Sequence, residues 1–262
     1  MLEVHNLRKV YGDFVAVDDV SLTLPEGGSL AVVGESGSGK TTTARMIAGL
    51  EAPSGGHFAV GGEPRRPGRV GGAERRTRAR QIQMVFQDPY SSLDRRQRVR
   101  DAVAEAVRLH RPGNGAAVDD RVAELLGLVG VDERQARSLP KGLSGGQRQR
   151  VAIARALAAE PRVLILDEAV AALDVSIQAQ ILNLLAQVRE STGTALLFIT
   201  HDLAAVPHIS DEVLVMRTGR VVEQGPVGRV LGAPRDAYTR RLIESIPKPG
   251  WKPRRRPRPD AD

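Results

Sequence analysis

The chain has 262 residues, a formal net charge of +7, 3% aromatic residues and no cysteine. That length carries one large α/β domain or two small ones with a self-sufficient core, and the missing cysteines exclude disulfides, thiolate zinc sites and iron–sulfur clusters. No apolar run approaches the roughly 18 residues of a membrane span, and the opening residues lack a charged-then-apolar signal segment, so a soluble or peripheral protein is expected. Arginines crowd residues 65–80, 95–100 and 254–258. With so few aromatics for base stacking, these clusters read as solvated faces, and no specific nucleic-acid partner is expected.

Residues 1–30 read as short strands and turns: Leu2 and Val4 flank Glu3, residues 15–17 are compact, and Leu22 and Leu24 alternate with Ser21 and Thr23. They form a small β layer in which Tyr11, taken alone, reads as packing. Residues 30–33 then make a short apolar strand, and residues 34–41 fit the phosphate-binding pattern G-x-x-x-x-G-K-[ST]. Gly34, Glu35, Ser36, Gly37, Ser38, Gly39, Lys40, Thr41 and Thr42 are therefore a candidate triphosphate site. Backbone N–H groups must wrap the phosphates, and side chains at the glycine positions would hold the backbone off. Lys40 would reach the outer phosphates, the Thr41 hydroxyl would ligate Mg²⁺, and the following helix would point its positive end at the anion. Lysine is scarce here, the others being Lys9, Lys141, Lys248 and Lys252.

After the loop, Ala44, Ile47 and Ala48 share a helical face, and Gly49 and Pro53 stop it. Residues 61–80 are rich in Gly, Pro and Arg without a period, a surface excursion. A strand is expected around residues 81–86. From Gln87 the texture becomes helical: Val103, Val107 and His110 share one face, and Val122, Leu125, Leu126 and Val129 another, with Asp119 placed to cap and Gly130 to end it. A helical subdomain inserted into the α/β core, about residues 88–160, is expected. Within it, Ser144 caps a helix carrying Gly145, Gly146 and Gln147 in its first turn, and the free N–H groups there make a second anion site.

Residues 162–168 read as a buried strand ending in Asp167 and Glu168. Ligands of parallel sheets bind at strand C-terminal ends, and strand alternation would let Asp167 address a metal while Glu168 addresses a water. Asp174 opens a helix with Ile177, Ile181, Leu184, Leu185 and Val188 on one stripe. Residues 194–200 are another buried strand, ending at His201, which is placed for a γ-phosphate contact. Residues 213–223 read as a hairpin, and residues 247–262, rich in Pro and Arg, as a disordered tail.

Together these residues resemble the ATP-binding subunit of ABC transporters over about residues 1–246. Residues 34–41 look like the Walker A loop, Gln87 the Q-loop glutamine, residues 143–147 the LSGGQ signature, residues 163–167 Walker B, residues 171–174 the D-loop with Asp174, and His201 the switch histidine. The resemblance implies an α/β P-loop NTPase core with a small N-terminal antiparallel β layer and an inserted helical subdomain. It implies an ABC ATPase domain over residues 1–235 and a C-terminal extension over residues 236–262. It implies an ATPase using ATP and Mg²⁺, with Tyr11 stacking on adenine, Glu168 as catalytic base, Thr41, Gln87 and Asp167 around the metal, and Ser144, Gly145, Gly146 and Gln147 facing the ATP of a second ABC subunit.

Residues 87–93, 174–180 and 237–247 look like the oligopeptide, dipeptide and nickel importer branch, with departures at Asp94-Arg95, Ala171 and Asp236-Ala237. That branch implies two transmembrane permease subunits, an extracytoplasmic solute-binding protein, and a peripheral place on the cytoplasmic face of the membrane. Two other readings stay open: a soluble ABC ATPase acting on nucleic acid or ribosomes, and an exporter subunit with the same ATP residues.

Overall fold

The computed structural model describes residues 1–65, 71–88, 92–110, 113–171 and 173–246. Residues 89–91, Ala172 and the tail from residue 247, all named above in the branch-specific segments, the D-loop and the expected disordered tail, lie outside the described residues.

A six-stranded sheet in the order β10-β9-β3-β8-β7-β6 forms the centre. β3 (Ser29–Val33), β7 (Val163–Asp167) and β8 (Ala195–Thr200) are buried at every residue, as parallel strands covered on both faces must be. β6 (Ile82–Val85) and β9 (Glu212–Arg217) extend the parallel array, and β10 (Arg220–Pro226) closes it antiparallel to β9. Successive strand residues alternate between two cores. Ala31, Val33, Leu164, Leu166, Leu196 and Phe198 pack toward the helices, while Leu30, Val32, Val163, Ile165, Leu197 and Ile199 pack toward the second sheet.

That second sheet has the order β2-β1-β4-β5, with β1 (Leu2–Tyr11), β2 (Phe14–Leu24), β4 (Gly55–Val60) and β5 (Glu63–Arg65) antiparallel. The expected short pieces are in fact two long strands. Register shifts between Val4 and Val10 break the apolar alternation that periodicity relies on, so the strands look shorter in sequence than they are. Helix α1 (Lys40–Ile47) lies under this sheet, with Ala44, Met46 and Ile47 in its core.

The expected excursion at residues 61–80 contains β5 and helix α2 (Gly72–Gln81), which buries none of its residues. A helix with no apolar stripe leaves no period to read. Next come α3 (Val99–His110), α4 (Gly115–Leu128), α5 (Glu133–Ala136) and α6 (Gly145–Leu157), which pack together on the helical side of the sheet. α4 is capped by Asn114, whose side chain accepts the Ala117 N–H, and not by Asp119. The helix begins four residues before Asp119, and that carboxylate instead meets Arg100 at 2.9 Å.

The long helix α7 (Val175–Thr192) follows β7, capped by Asp174 at one end and by left-handed Gly193 at the other. Two short helices close the described chain: α8 (Val227–Gly232) and α9 (Ala237–Glu244), the latter burying Tyr238 in the helical-side core.

Candidate functional site

The loop after β3 starts where a side chain cannot fit. At Gly34 φ is +152°, and a Cβ there would stand 2.2 Å from the Met216 carbonyl oxygen. At Gly39 φ is +99° and a Cβ would stand 2.6 Å from the Ala16 carbonyl oxygen. The loop is thus pressed between β2 and β9, and no side chain caps the N–H groups in the first turn of α1 that follows it. The β9–β10 turn holds it: the Gly219 N–H donates to the Ser38 carbonyl at 3.0 Å, and the Asp18 N–H donates to the Gly219 carbonyl at 2.8 Å. Thr218 and Gly219 have φ of 44° and 82°, the two positive values that a tight hairpin turn matching strand twist requires.

Lys40 is buried, and its ammonium donates to the Gly34 and Glu35 carbonyls, each at 2.8 Å. Burial pushes its pKa below the ordinary lysine value, against the attraction of Glu168 and Asp167. The Thr41 hydroxyl donates to Asp167 Oδ1 at 2.9 Å. Burial raises the Asp167 carboxyl, the Thr41 hydroxyl pulls it back and the charge of Glu168 adds to the rise. Thr41 and Asp167 are two hard oxygen donors side by side, a pair that fits a small divalent cation taking its remaining ligands from phosphates and water. Among the described residues no cluster of three or more His, Cys, Asp or Glu offers an all-protein cage.

Glu168 stands just past the end of β7 with φ of +49°, its N–H donating to the Ile199 carbonyl at 2.9 Å. The alternation invoked above therefore does not orient it. A left-handed residue sits there, in the backbone region where strain collects at functional sites. That turn brings Glu168 Oε1 within 3.4 Å of His201 Nδ1. The residue after His201 is tied to α7, since Gln178 donates to Asp202 Oδ2 at 2.8 Å. Gln87 is exposed beyond the end of β6. Tyr11 is 46% exposed at the tip of the β1–β2 hairpin. Lys9 lies 4.8 Å from its ring centroid, and Glu51 accepts both the Tyr11 hydroxyl and the Lys9 ammonium.

Ser144 caps α6 as expected, in a reciprocal box in which the Gln147 side chain accepts the Ser144 N–H at 2.8 Å. Gly145 and Gly146 pack against Leu173 and Ile177. Among the described residues, no hydrogen bond of Ser144, Gly145, Gly146 or Gln147 reaches the phosphate loop. Asp174 accepts from Ile177 N–H and from the Ser176 hydroxyl, and those bonds hold its carboxyl below the usual range. The structure thus gathers the residues of 34–42, Asp167, Glu168 and His201 at the C-terminal ends of β3, β7 and β8, and it leaves the signature residues apart.

Glu35 has a partner that no motif marked: its N–H donates to the Tyr238 hydroxyl at 3.1 Å. Tyr238 was visible only as part of a resemblance at the far end of the chain. The hairpin turn at Gly219 is expected from sequence, but its bond to the Ser38 carbonyl and the Gln178–Asp202 bond have no sequence signal.

A doubly covered parallel sheet with a glycine-bounded phosphate loop at one strand end and an acid pair at the next defines a P-loop nucleotide-binding protein of the ATP-binding-cassette class. The ABC transporter family matches residues 17–171, and the chain belongs to that family. The chain is 49% identical over 243 residues to the oligopeptide transport ATP-binding protein OppD of Mycobacterium tuberculosis, covering 93% of this chain and 39% of that one. It is 46% identical over 243 residues to the glutathione import ATP-binding protein GsiA of Escherichia coli, covering 92% and 38%. It thus spans about two-fifths of the length of these relatives. Among solved structures, cbiO1 of Clostridium perfringens, part of the ABC transporter complex cbiONQ, superposes with a TM-score of 0.81 at 30% identity, over 94% of this chain and 95% of that one. The cassette MJ0796, as a dimer in a post-hydrolysis state bound to ADP and Pi, superposes with a TM-score of 0.76 at 29% identity, over 87% and 99%.

Proposed function

We propose that this chain hydrolyses ATP as one of two cassettes that close head to tail, and that closure drives import of a peptide-like solute through separate membrane chains. The observation that carries the proposal is the division of the site. The phosphate loop, Asp167, Glu168 and His201 converge, while Ser144, Gly145, Gly146 and Gln147 stand as a second anion-binding turn with no contact to that loop. Two copies, or this chain and a paralogue, would complete each other's ATP sites, and the dimer reported for MJ0796 supports that reading.

In this reading the N–H groups of residues 37–42 and Lys40 bind the phosphates, and the anion restores to the desolvated ammonium the charge compensation that burial removed. Thr41, Asp167 and Gln87 would hold Mg²⁺, which would neutralise charge on the outer phosphates. Tyr11 stacks on adenine. Glu168 orients the attacking water, and His201, 3.4 Å away, keeps Glu168 in place and meets the γ-phosphate. Phosphoryl transfer demands mainly positioning and charge stabilisation, so a site assembled only on closure makes turnover conditional on the partner and on Asp174 at its border.

Solute class rests on OppD and GsiA, proteins of oligopeptide transport and glutathione import. Two permease subunits, a solute-binding protein outside the membrane and a peripheral site on its cytoplasmic face complete the proposal. Among the described residues no helix is long and apolar enough to cross a membrane. The test is the Glu168→Gln chain, tagged and expressed in its own cell. It should bind ATP, lose at least about 100-fold in turnover by the scale of a lost catalytic group, elute as a closed pair with ATP, and bring multi-span permeases with it from gently solubilised membranes. Rapid turnover by the variant would remove Glu168 from its role. Recovery with ribosomes or DNA and without permeases would sink the import reading.

A further inference from the structure

The last described helix, α9, reaches the phosphate loop through the Tyr238 hydroxyl. β3 ends at Val33, and Gly34 is pinned against the Met216 carbonyl, so the Glu35 N–H points away from the sheet ladder and needs another acceptor. That acceptor is the Tyr238 hydroxyl, 203 residues further along the chain. The ring that carries it is 5% exposed in the main core, with the Arg217 guanidinium carbon 5.1 Å from its centroid.

The helix behind it is held in turn. Asp236 caps α9 by accepting the Tyr238 and Thr239 N–H groups at 2.7 and 3.3 Å. The Arg235 and Asp236 N–H groups donate to the Glu223 carboxylate on β10 at 3.0 and 3.1 Å. A run of bonds thus leads from β10 through the α9 cap to the first peptide of the phosphate loop. On its other side the same peptide, through the Gly34 carbonyl, accepts a hydrogen bond from the Lys40 ammonium at 2.8 Å.

We infer that Tyr238 is a positioning residue for nucleotide binding, setting the entry turn of the phosphate loop through the Glu35 N–H. Lys40 is the cation that phosphates recruit. When its ammonium leaves the Gly34 and Glu35 carbonyls, the Tyr238 hydroxyl and the Gly219 N–H bond to Ser38 are the ties that keep the turn in shape. The hydroxyl therefore matters more with nucleotide than without it, which a purely packing tyrosine would not. The inference rests on the reading of residues 34–42 as the ATP site.

The experiment compares the full chain with Tyr238→Phe, which keeps the ring and deletes only the acceptor. ATP affinity should fall about 3- to 10-fold, the scale of one hydrogen bond. KM for ATP should rise in parallel, kcat at saturating ATP should stay within about twofold by the logic of uniform binding, and the nucleotide-free melting temperature should shift by no more than about 3 °C. Unchanged affinity, or an affinity loss matched by an equal loss of nucleotide-free stability, overturns the role. Amide exchange in the unmutated chain supplies a readout that does not depend on the variant folding. The Glu35 N–H should be protected with and without ATP, and its free exchange in the ATP-bound chain overturns the role as well. Lys40→Ala separates the two readings: retained ATP binding there overturns the site itself, whereas its loss alongside a wild-type Tyr238→Phe overturns only the inference.

Discussion

Replacing Gly146 by Ala sets two effects of opposite sign against each other. Gly146 lies in the first turn of α6 and is not a position of positive φ, so backbone freedom does not require glycine, and helix propensity favours Ala by about 1 kcal/mol. Space decides the outcome. A Cβ at Gly146 would stand 2.3 Å from Ile177 Cγ2 and 3.7 Å from Ile177 Cβ. Cγ2 is fixed to a β-branched carbon on α7 and has a single strongly preferred helical rotamer, so it cannot swing aside, and α6 must move off α7. Overpacking of this kind costs about 1–3 kcal/mol, so after the propensity gain Gly146→Ala should be destabilising by up to about 2 kcal/mol net in urea unfolding. Ile177→Ala removes the obstructing methyl. In the double variant the penalty at Gly146 should vanish and turn into the propensity gain, a coupling energy above about 1 kcal/mol in a double-mutant cycle. Additive effects would refute the close-approach account of this glycine. ATP turnover by the double variant then separates packing from chemistry, since restored stability without restored turnover assigns Gly146 a contact with the partner's phosphate too.

Tyr11→Ala should weaken ATP binding by about 1–3 kcal/mol, the range for base–aromatic stacking, whereas Tyr11→Phe keeps the ring and should bind like wild type; titration of both with ATP checks this, and equal losses would shift the role from the ring to the hydroxyl held by Glu51. Glu223 gives a pH signature. Burial pushes its carboxyl up, but the Arg235 and Asp236 N–H groups and the Arg229 guanidinium together hold it below the ordinary 4.5. A depressed carboxyl contributes stability that is present above its unfolded value and lost as pH falls through the folded value. Melting temperature should therefore drop more steeply below about pH 4.5 in wild type than in Glu223→Gln; parallel curves would remove Glu223 from the acid response.

Legibility in the sequence followed how local each feature is. The buried strands β3, β7 and β8 are continuous apolar runs, and the caps at Ser144 and Asp174 precede apolar stripes, so the parallel core and the α6 and α7 starts could be read directly. α2 could not be read, because it buries nothing and leaves no stripe. The length of β1 and β2 was hidden by register shifts that move apolar residues off the alternating pattern. Within the site, spacing announced Lys40, Thr41, Asp167 and Glu168. The left-handed turn that aims Glu168 at His201 has no sequence signal, since glutamate is not a residue that favours φ of +49°. Tyr238 and Gly219 reach the phosphate loop from positions distant in sequence, and only the tertiary fold brings them there.

Several polar groups placed in the site are engaged by the chain itself: Lys40 by two carbonyls, Thr41 by Asp167, and Ser144 by Gln147. Buried polar groups left without partners cost about as much as a lost hydrogen bond or more, so a nucleotide-free chain must find such pairings. They are also the bonds that phosphates, Mg²⁺ and a partner chain would displace under the proposed mechanism. Each exchange then swaps one satisfied bond for another, and the net gain on binding stays small until the charge of the phosphates meets a desolvated ammonium and a helix terminus together. On that argument affinity resides chiefly in the loop and Lys40. The Ser144–Gln147 pair would open only when the second cassette arrives, which keeps turnover low in an isolated chain.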